Sequence, residues 1–253
     1  MTDIPVALTM YTVRDDAAKD YFGTVRKVAE MGYQGIQTHF QVCDAAELRG
    51  LCAGLGIAIC GVHTGLDRMQ SDLDAVIAFN KALDCPDVTC PSLPEQYRSE
   101  DGFRRAGEEL SVIGAALKEA GIRLTYHNHA FEFEEYNGRR GYDILFEAAD
   151  AENLKAEPDV YWMRYGGVDP VEYMRGLSGR IPLLHIKEMA GDAERSMAEI
   201  GEGVMDWQAI FAAARECGVE WAIVEQDICQ RPPLESARLS IENLRRMGLA
   251  SGA

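Results

Sequence analysis

The chain has 253 residues, 47% of them hydrophobic and 26% charged, and its formal net charge is −16. An acidic surface repels nucleic acid phosphates and anionic membranes, so the expected partner is a neutral or cationic small molecule. No stretch approaches the roughly 18 apolar residues of a membrane span, and the first residues lack the basic and apolar segments of a leader, which predicts a cytoplasmic protein.

In chain order, short apolar runs alternate with amphipathic segments. Strands are predicted at residues 4–10, 33–38, 57–62, 88–90, 122–129, 154–160, 181–188 and 221–227. Helices are predicted at residues 17–31, 45–53, 73–83, 101–120, 142–149, 170–177, 206–217 and 234–247. An apolar run of about four to eight residues closed by polar ones is typical of a strand buried on both faces. The pattern therefore gives eight strand–helix pairs.

Glycine recurs at four helix-to-strand joints, at Gly32, Gly56, Gly121 and Gly218. Glycine readily takes the left-handed conformation that ends a helix, so the repeat indicates one kind of joint used around a ring. Strict alternation requires parallel strands, and eight such units close into a (β/α)8 TIM barrel. Because no linker-like run interrupts the chain, a single barrel domain over residues 1–253 is predicted.

The alternative fold is an open, doubly wound sheet. That fold commonly places a glycine-rich phosphate loop after its first strand. Here the first predicted strand is followed by Tyr11-Thr12-Val13-Arg14. The barrel is therefore the favoured prediction.

Polar side chains stand where the predicted strands end, which is where barrel enzymes place their active sites. They are Tyr11, Gln37, His39, His63, His127, His129, Glu132, Asp159, His185, Lys187, Glu225 and Asp227. All five histidines of the chain are among them. Histidines placed at random would not all fall in these windows, so the set as a whole is predicted to be functional.

Asp159, His185 and Glu225 close three separate predicted strands with groups that bind metals. A carboxylate at position 225, directly after a buried apolar run, is too costly to bury unpaired, so a metal or an arginine must balance it. Plainer roles exist for the other two. Asp159 could cap a helix, and His185 could be a buried histidine bonded to the backbone.

The fourth group of such a site is open between Glu132, His127 and His129. Oxygen donors with one imidazole and no thiolate suit Mn²⁺, Mg²⁺ or Co²⁺ better than structural zinc. The seven cysteines are scattered and include no Cys-x-x-Cys pair, so a thiolate site or a disulfide framework is not expected. We expect Mn²⁺, with Mg²⁺, Co²⁺ and Zn²⁺ as alternatives.

Several motifs of this chain resemble one known family. They are YHNHAFEF at 126–133, PDVYW at 158–162, GVDP at 167–170, GRIPLLHIK at 179–187, GEGVMDW at 201–207 and VEQD at 224–227. Together they are similar to the sugar phosphate isomerase/epimerase family, whose fold is a xylose isomerase-like TIM barrel and which includes ketose 3-epimerases and inosose dehydratases. The resemblance covers nearly the whole chain.

The resemblance implies that Glu132, Asp159, His185 and Glu225 bind a divalent metal and that the two glutamates are an acid/base pair. It departs from the family at two positions. The fifth strand of family epimerases usually carries a glutamate where this chain has His127, which makes His127 another candidate ligand or catalytic group. The second strand often ends in a glutamate where Gln37 stands here, and the amide is expected to contact substrate.

The remaining site predictions concern substrate. Tyr11, Gln37, His63, His129, Trp162 and Asp227 are predicted to bind it. Lys187 is predicted to stabilise a developing enolate, although a solvated lysine or an ion pair with Glu188 explains it equally well. The loop 188–205 is long enough for a lid.

The function predicted first is a metal-dependent isomerase or epimerase, which removes a proton beside a metal-bound carbonyl of a sugar or cyclitol and passes through an enediolate. A dehydratase or lyase that uses the same enolate is the second, because extra imidazoles could protonate a leaving group. A non-catalytic sugar-binding barrel is a third. A DNA-repair endonuclease would need more histidines and a basic face. A homodimer is expected from the family alone.

Overall fold

The computed structural model describes residues 3–251, and residues 1–2 and 252–253 of the predicted domain lie outside the described residues. Within this range, eight strands form one sheet. They are β1 (Val6–Thr9), β2 (Gly35–His39), β3 (Ala58–His63), β4 (Asp87–Cys90), β5 (Arg123–His127), β6 (Leu154–Glu157), β7 (Leu183–Ile186) and β8 (Trp221–Val224).

The sheet curls into a nearly closed ring. Neighbouring strands follow the order β6-β5-β4-β3-β2-β1-β8-β7, and all of these pairs are parallel. A further parallel bridge between Asp159 and His185 joins the ends of β6 and β7. Because this bridge joins the two end strands of the row, the (β/α)8 TIM barrel is confirmed and the open sheet is excluded.

Helices lie between the strands. They are α1 (Arg14–Ala17), α2 (Tyr21–Glu30), α3 (Ala45–Leu55), α4 (Leu66–Ser71), α5 (Leu73–Leu83), α6 (Glu100–Glu119), α7 (Gly141–Ala148), α8 (Val160–Tyr165), α9 (Pro170–Gly176), α10 (Trp207–Cys217) and α11 (Pro233–Arg246). Apart from the short helices α1, α4 and α8, all were predicted, with small shifts at their ends. Within residues 3–251, every helix is too short or too polar to cross a bilayer.

The strand predicted at 154–160 is too long. It ends at Glu157, and α8 begins at Val160. The reason is a helix cap: Asp159 Oδ1 accepts a hydrogen bond from the backbone N–H of Trp162 at 2.9 Å. The turn keeps Asp159 at the carboxyl end of β6, where the site was expected.

The four glycine joints behave as predicted. Gly32, Gly56, Gly121 and Gly218 have φ angles of 88°, 70°, 79° and 79°, in the left-handed region that other residues rarely adopt. Each therefore lets the chain turn from the end of a helix directly into the next strand.

The inside of the barrel has an apolar layer beneath a polar one. The apolar layer is a small cluster formed by Ala7, Cys60, Leu183 and Ile223. Side chains two residues apart on a strand point the same way, so the inner face continues from Leu183 to His185 and from Ile223 to Glu225. The polar layer thus lies at the carboxyl ends of the strands.

The loop after β7 is held by one buried carboxylate. Glu188 accepts hydrogen bonds from the backbone N–H groups of Met189 (3.0 Å), Gly201 (2.9 Å) and Met205 (3.0 Å) and from the indole N–H of Trp207 (2.6 Å). These bonds tie both ends of the predicted lid segment to the barrel. They also occupy Glu188, so the ion pair with the neighbouring lysine does not form.

Candidate active site and metal centre

Four side chains from four neighbouring strand ends meet at the mouth of the barrel. Each of His127, Asp159, His185 and Glu225 offers one donor atom, and these atoms lie within 4.8 Å of one another. All four residues are buried. The structure therefore brings together Asp159, His185 and Glu225, as the sequence predicted, and of the three candidates for the fourth position it places His127 beside them.

The ring of His185 is bonded at both nitrogens. Its Nδ1 lies 2.7 Å from Glu225 Oε2, and its Nε2 lies 2.8 Å from both Gln37 Oε1 and Glu157 Oε1. Burial by itself lowers the pKa of His185, but the carboxylates of Glu225 and Glu157 raise it to about 10. All these partners are side chains, so the simpler interpretation of a core histidine bonded to backbone does not hold.

Asp159 divides its two oxygens between two tasks. Oδ1 caps α8, whereas Oδ2 is buried without a hydrogen bond. Lys187 Nζ lies 3.2 Å from Oδ2 but outside hydrogen-bonding angles, and His127 Nε2 lies 4.0 Å away. Burial raises the pKa of Asp159 to about 6, against the opposing effects of Lys187 and His185. The cap therefore leaves one oxygen free for a cation.

Lys187 is the ammonium group of the site. Its Nζ lies 2.8 Å from Glu225 Oε2 and 3.0 Å from Asp227 Oδ2, and the side chain is 1% exposed. Burial alone lowers the pKa of Lys187, but Asp159, Glu225 and Asp227 together raise it above its ordinary value. The group is therefore a permanent positive charge at neutral pH.

Glu132 is not brought to this group. Its Oε1 accepts a hydrogen bond from the Tyr126 hydroxyl at 2.7 Å, and its Oε2 accepts one from the backbone N–H of His129 at 2.8 Å. Tyr126 and His127 are successive residues of β5 and point to opposite faces, so an acid bonded to Tyr126 lies on the outer side of the barrel wall. Burial there raises the pKa of Glu132 to about 7. The site therefore lacks the second glutamate that the resemblance implied.

Glu157 is the site residue that the sequence reasoning missed. It lies at the end of β6, two residues before Asp159, and is fully buried inside the barrel. Burial alone raises the pKa of Glu157, but His185 and His63 hold it well below its ordinary value. The signal was available: on a strand, residues 157 and 159 share one face, and both are carboxylates.

A cavity of about 470 Å³ opens beside the four-residue group. It is lined by Tyr11, His39, His63, Pro91, Ser92, His127, His129, Lys187, Glu225 and Asp227. Two residues predicted to bind substrate are not in this lining. Gln37 is buried and hydrogen-bonded to Glu157 and His185. Trp162 packs against His129, with the two ring centroids 5.4 Å apart. The volume is in the range of small-molecule sites.

The imidazoles of His39, His127 and His129 are neutral near pH 7. Burial, followed by the positive charge of Lys187, lowers the pKa of His129 to about 4, and burial with His63 lowers the pKa of His39 to about 4. Burial also holds the pKa of His127 well below its ordinary value. A neutral imidazole can accept a proton at one nitrogen and donate a hydrogen bond from the other.

The donor set fits a divalent cation. Three buried carboxylates, those of Glu157, Asp159 and Glu225, lie in one region with the half-buried Asp227. The ammonium of Lys187 and the imidazole of His185, whose pKa is raised to about 10, set two positive charges against these four carboxylates. Buried charge of one sign must be compensated. The free Oδ2 of Asp159 and the unpaired ring nitrogen Nδ1 of His127 also belong to this region. Two imidazoles and two carboxylates suit zinc as well as manganese.

Comparison with known proteins agrees with this architecture. Residues 25–247 match the family described as xylose isomerase-like TIM barrel. An inosose dehydratase of Geobacillus kaustophilus is 29% identical over 166 residues, which cover 58% of this chain and 51% of that protein. The chain thus spans about half the length of the curated relatives it matches.

Solved structures share the fold. A sugar phosphate isomerase/epimerase from Parabacteroides distasonis has a TM-score of 0.86 at 21% identity, covering 99% of this chain and 96% of that one. The IOLI protein, solved with a zinc atom, has a TM-score of 0.78 at 12% identity, covering 99% and 100%.

Proposed function

The chain belongs to the xylose isomerase-like TIM barrel family, and on that basis we propose that it is a divalent-metal-dependent enzyme that eliminates water from a keto-sugar or a cyclitol ketone. The observation that carries the proposal is the buried group His127, Asp159, His185 and Glu225 beside a cavity lined by several imidazoles. The inosose dehydratase named among its relatives supports the choice of reaction and substrate class.

The choice of elimination over epimerisation follows from the position of Glu132. Epimerisation needs an acid/base group on each face of the substrate, and the resemblance assigned that work to two glutamates. Glu225 lines the cavity, whereas Glu132 is bonded to Tyr126 on the other side of β5. Elimination needs one base and one proton donor for the leaving hydroxyl, and imidazoles suit the second task. Epimerisation is therefore the second candidate.

The four-residue group would hold the metal. When bound, such an ion supplies a Lewis acid that polarises the substrate ketone and makes the adjacent C–H bond more acidic. Mn²⁺ stays the first expectation. Zn²⁺ stands next to it, because the group contains two imidazoles, and the zinc atom of the IOLI protein supports it.

Different side chains of the cavity carry out the successive proton transfers. Glu225 takes the proton from the carbon beside the ketone, and the Lys187 ammonium stabilises the negative charge that develops on the ketone oxygen. The neutral imidazole of His129 relays a proton: it donates from one nitrogen to the β-hydroxyl and takes up a proton at the other, as the C–O bond breaks and the C=C bond forms. One water leaves, and the proton held by Glu225 returns through solvent to the imidazole.

A screen of inososes and keto-sugars in D₂O with the Mn²⁺- or Zn²⁺-loaded protein tests the proposal. We expect an enone absorbance that grows as NMR shows substrate loss, with Glu225→Gln slowing it by about 10²–10⁴-fold. Glu152→Gln is the matched control, because Glu152 is an exposed carboxylate that pairs only with surface lysines. Deuterium in recovered ketone of inverted configuration, without enone, would replace elimination by epimerisation. Tight metal binding with neither exchange nor enone would indicate a binding protein.

A further inference from the structure

Beneath the proposed metal group, Glu157 receives five donor groups at its two carboxylate oxygens. Oε2 lies 2.6 Å from Thr89 Oγ1 and 3.1 Å from Thr125 Oγ1. Oε1 lies 2.8 Å from Gln37 Nε2, 2.8 Å from His185 Nε2 and 3.2 Å from His63 Nε2. A buried carboxylate with so many partners fixes the orientation of each of them, because it can only accept.

Gln37 shows the effect most clearly. Its amide must present Nε2 to the carboxylate of Glu157, since the opposite orientation would place two acceptors against each other. Its carbonyl Oε1 is then turned to His185 Nε2, at 2.8 Å. An amide oxygen accepts only from a protonated nitrogen, so the proton of His185 stays on Nε2.

We propose that Glu157, acting directly and through Gln37, is a positioning residue that keeps His185 protonated at Nε2 and leaves its Nδ1 to the metal. This inference rests on the proposed function, because it takes His185 as a ligand. The Nδ1 atom faces Glu225 Oε2, at 2.7 Å, and a cation that binds Nδ1 would replace the proton that Nδ1 shares with this carboxylate. A carboxylate or carbonyl that holds the far nitrogen of a ligating histidine is a common way to fix ring orientation and raise ligand basicity.

The arrangement also explains why an amide stands at position 37. A glutamate there would set a second carboxylate 2.8 Å from the first, with no proton between them. The amide of Gln37 donates a hydrogen bond to Glu157 and accepts one from His185. The carboxylate of Glu157 therefore determines, through Gln37, which nitrogen of His185 carries the proton. The same carboxylate holds His63 through Nε2, which leaves His63 Nδ1 for the cavity that His63 lines.

The test is Glu157→Gln, assayed by Zn²⁺ and Mn²⁺ titration calorimetry and by ¹⁵N NMR of the histidine rings in the Zn²⁺-loaded protein. An amide at position 157 can donate as well as accept, so Gln37 is free to turn over and the proton of His185 can move to Nδ1. We expect metal affinity to fall about 10- to 100-fold. We also expect the protonated Nε2 signal of His185 to weaken.

A conservative variant separates positioning from general damage. Glu157→Asp keeps an acceptor-only carboxylate at this position, so the Nε2 proton of His185 still has an acceptor. We expect Glu157→Asp to retain more of the metal affinity and more of the Nε2 signal than Glu157→Gln does. Asp87→Asn is the control for loss of a buried carboxylate, because Asp87 is paired with Arg123 at the start of β4.

Each outcome decides a separate point. Wild-type affinity and unchanged histidine signals in Glu157→Gln would overturn the inference alone. Two bound ions in the wild type, one of them lost in this variant, would also overturn it, since Glu157 would then be a ligand. A wild-type protein that binds neither ion would overturn the proposed ligand group and the inference with it. If Glu157→Gln does not fold, ¹⁵N NMR of the Zn²⁺-loaded wild type decides: a His185 ring that carries its proton on Nδ1 overturns the inference.

Discussion

Glu132 and Glu157 are both fully buried glutamates, and they lie on opposite sides of β5. Outside the wall, Glu132 accepts from Tyr126 and from one backbone N–H, and burial raises its pKa to about 7. Inside the wall, Glu157 meets two imidazoles, and its pKa is held well below the ordinary value against the effect of burial. A buried glutamate is therefore shifted toward its neutral form on the outer face of β5, whereas on the inner face it stays ionised.

The comparison shows that burial alone does not define a functional acid. What distinguishes the inner face is the number of donors and positive charges that converge there from several strand ends. The largest effects of substitution are therefore expected inside the wall and at the charges that define it.

Lys187→Met tests the charge balance of the inner face. Removing the ammonium is expected to lower turnover by about 10²–10³-fold, the size of effect seen when one group that stabilises an oxyanion is lost. Metal affinity is expected to rise, because the cation no longer competes for Glu225 Oε2 and Asp159 Oδ2. Turnover assays and metal titrations measure the two effects separately.

Lys155→Met is the matched control for this variant, since Lys155 pairs with Glu152 at the other end of the barrel. Its turnover and metal affinity should equal those of the wild type. A Lys187→Met protein that binds metal more weakly would show that the lysine organises the group rather than competing with the ion.

Glu132→Gln tests the outer face. A carboxyl group whose folded pKa is raised from 4.5 to about 7 binds more protons in the folded state, so it lowers stability as pH rises through that window. The full loss is about 3 kcal/mol above pH 7. Gln does not titrate, and its amide can serve both partners of Glu132. We therefore expect the variant to be more stable than the wild type at pH 8 and to lose that advantage near pH 4.5.

Urea unfolding at these two pH values, without metal, measures the difference. Metal affinity should be unaltered in Glu132→Gln. A large loss of affinity would instead support the role as a ligand that the family resemblance implied. Equal stability profiles for variant and wild type would contradict the account of the outer face.

The sequence was informative wherever one strand could be considered by itself. An apolar run ending in His185, or in Glu225, reports a buried strand and its polar end, and parallel strands bring such ends to one rim. For this reason, the barrel and the meeting of Asp159, His185 and Glu225 followed from the sequence. The helix that begins at Val160 was missed, because Asp159 acts as its cap and the strand pattern continues through it.

Glu132 and Glu157 were harder because their roles depend on contacts between strands. The turn at Phe131–Phe133 decides on which side of β5 Glu132 falls, and alternation along a strand says nothing about a residue beyond its end. Alternation along one strand places Glu157 on the face of Asp159, but the role of Glu157 is set by donors on β2, β3, β4, β5 and β7, which lie in five separate segments of the sequence.

The finest test of the comparison uses two neighbouring residues of β5. Tyr126 donates to Glu132 outside the wall, and Thr125 donates to Glu157 inside it. Tyr126→Phe removes one of two donors from a buried acid, and a hydrogen bond to such a group is worth about 2 kcal/mol. Thr125→Val should cost about 1 kcal/mol or less, because its hydroxyl proton is shared with Thr89 and Glu157 retains its other donors.

The free energies of unfolding of the two variants at pH 8, each compared with that of the wild type, measure the two losses of stability directly. Near-ultraviolet circular dichroism checks that both variants keep the native packing. The order Tyr126→Phe above Thr125→Val follows from counting donors around each carboxylate, not from the size of the side chain removed. If Thr125→Val were the more damaging, Glu157 would depend on a single hydroxyl. In that case the many contacts of Glu157 would not share its charge, and the contrast between the two faces of β5 would have to be explained by the packing of the barrel interior.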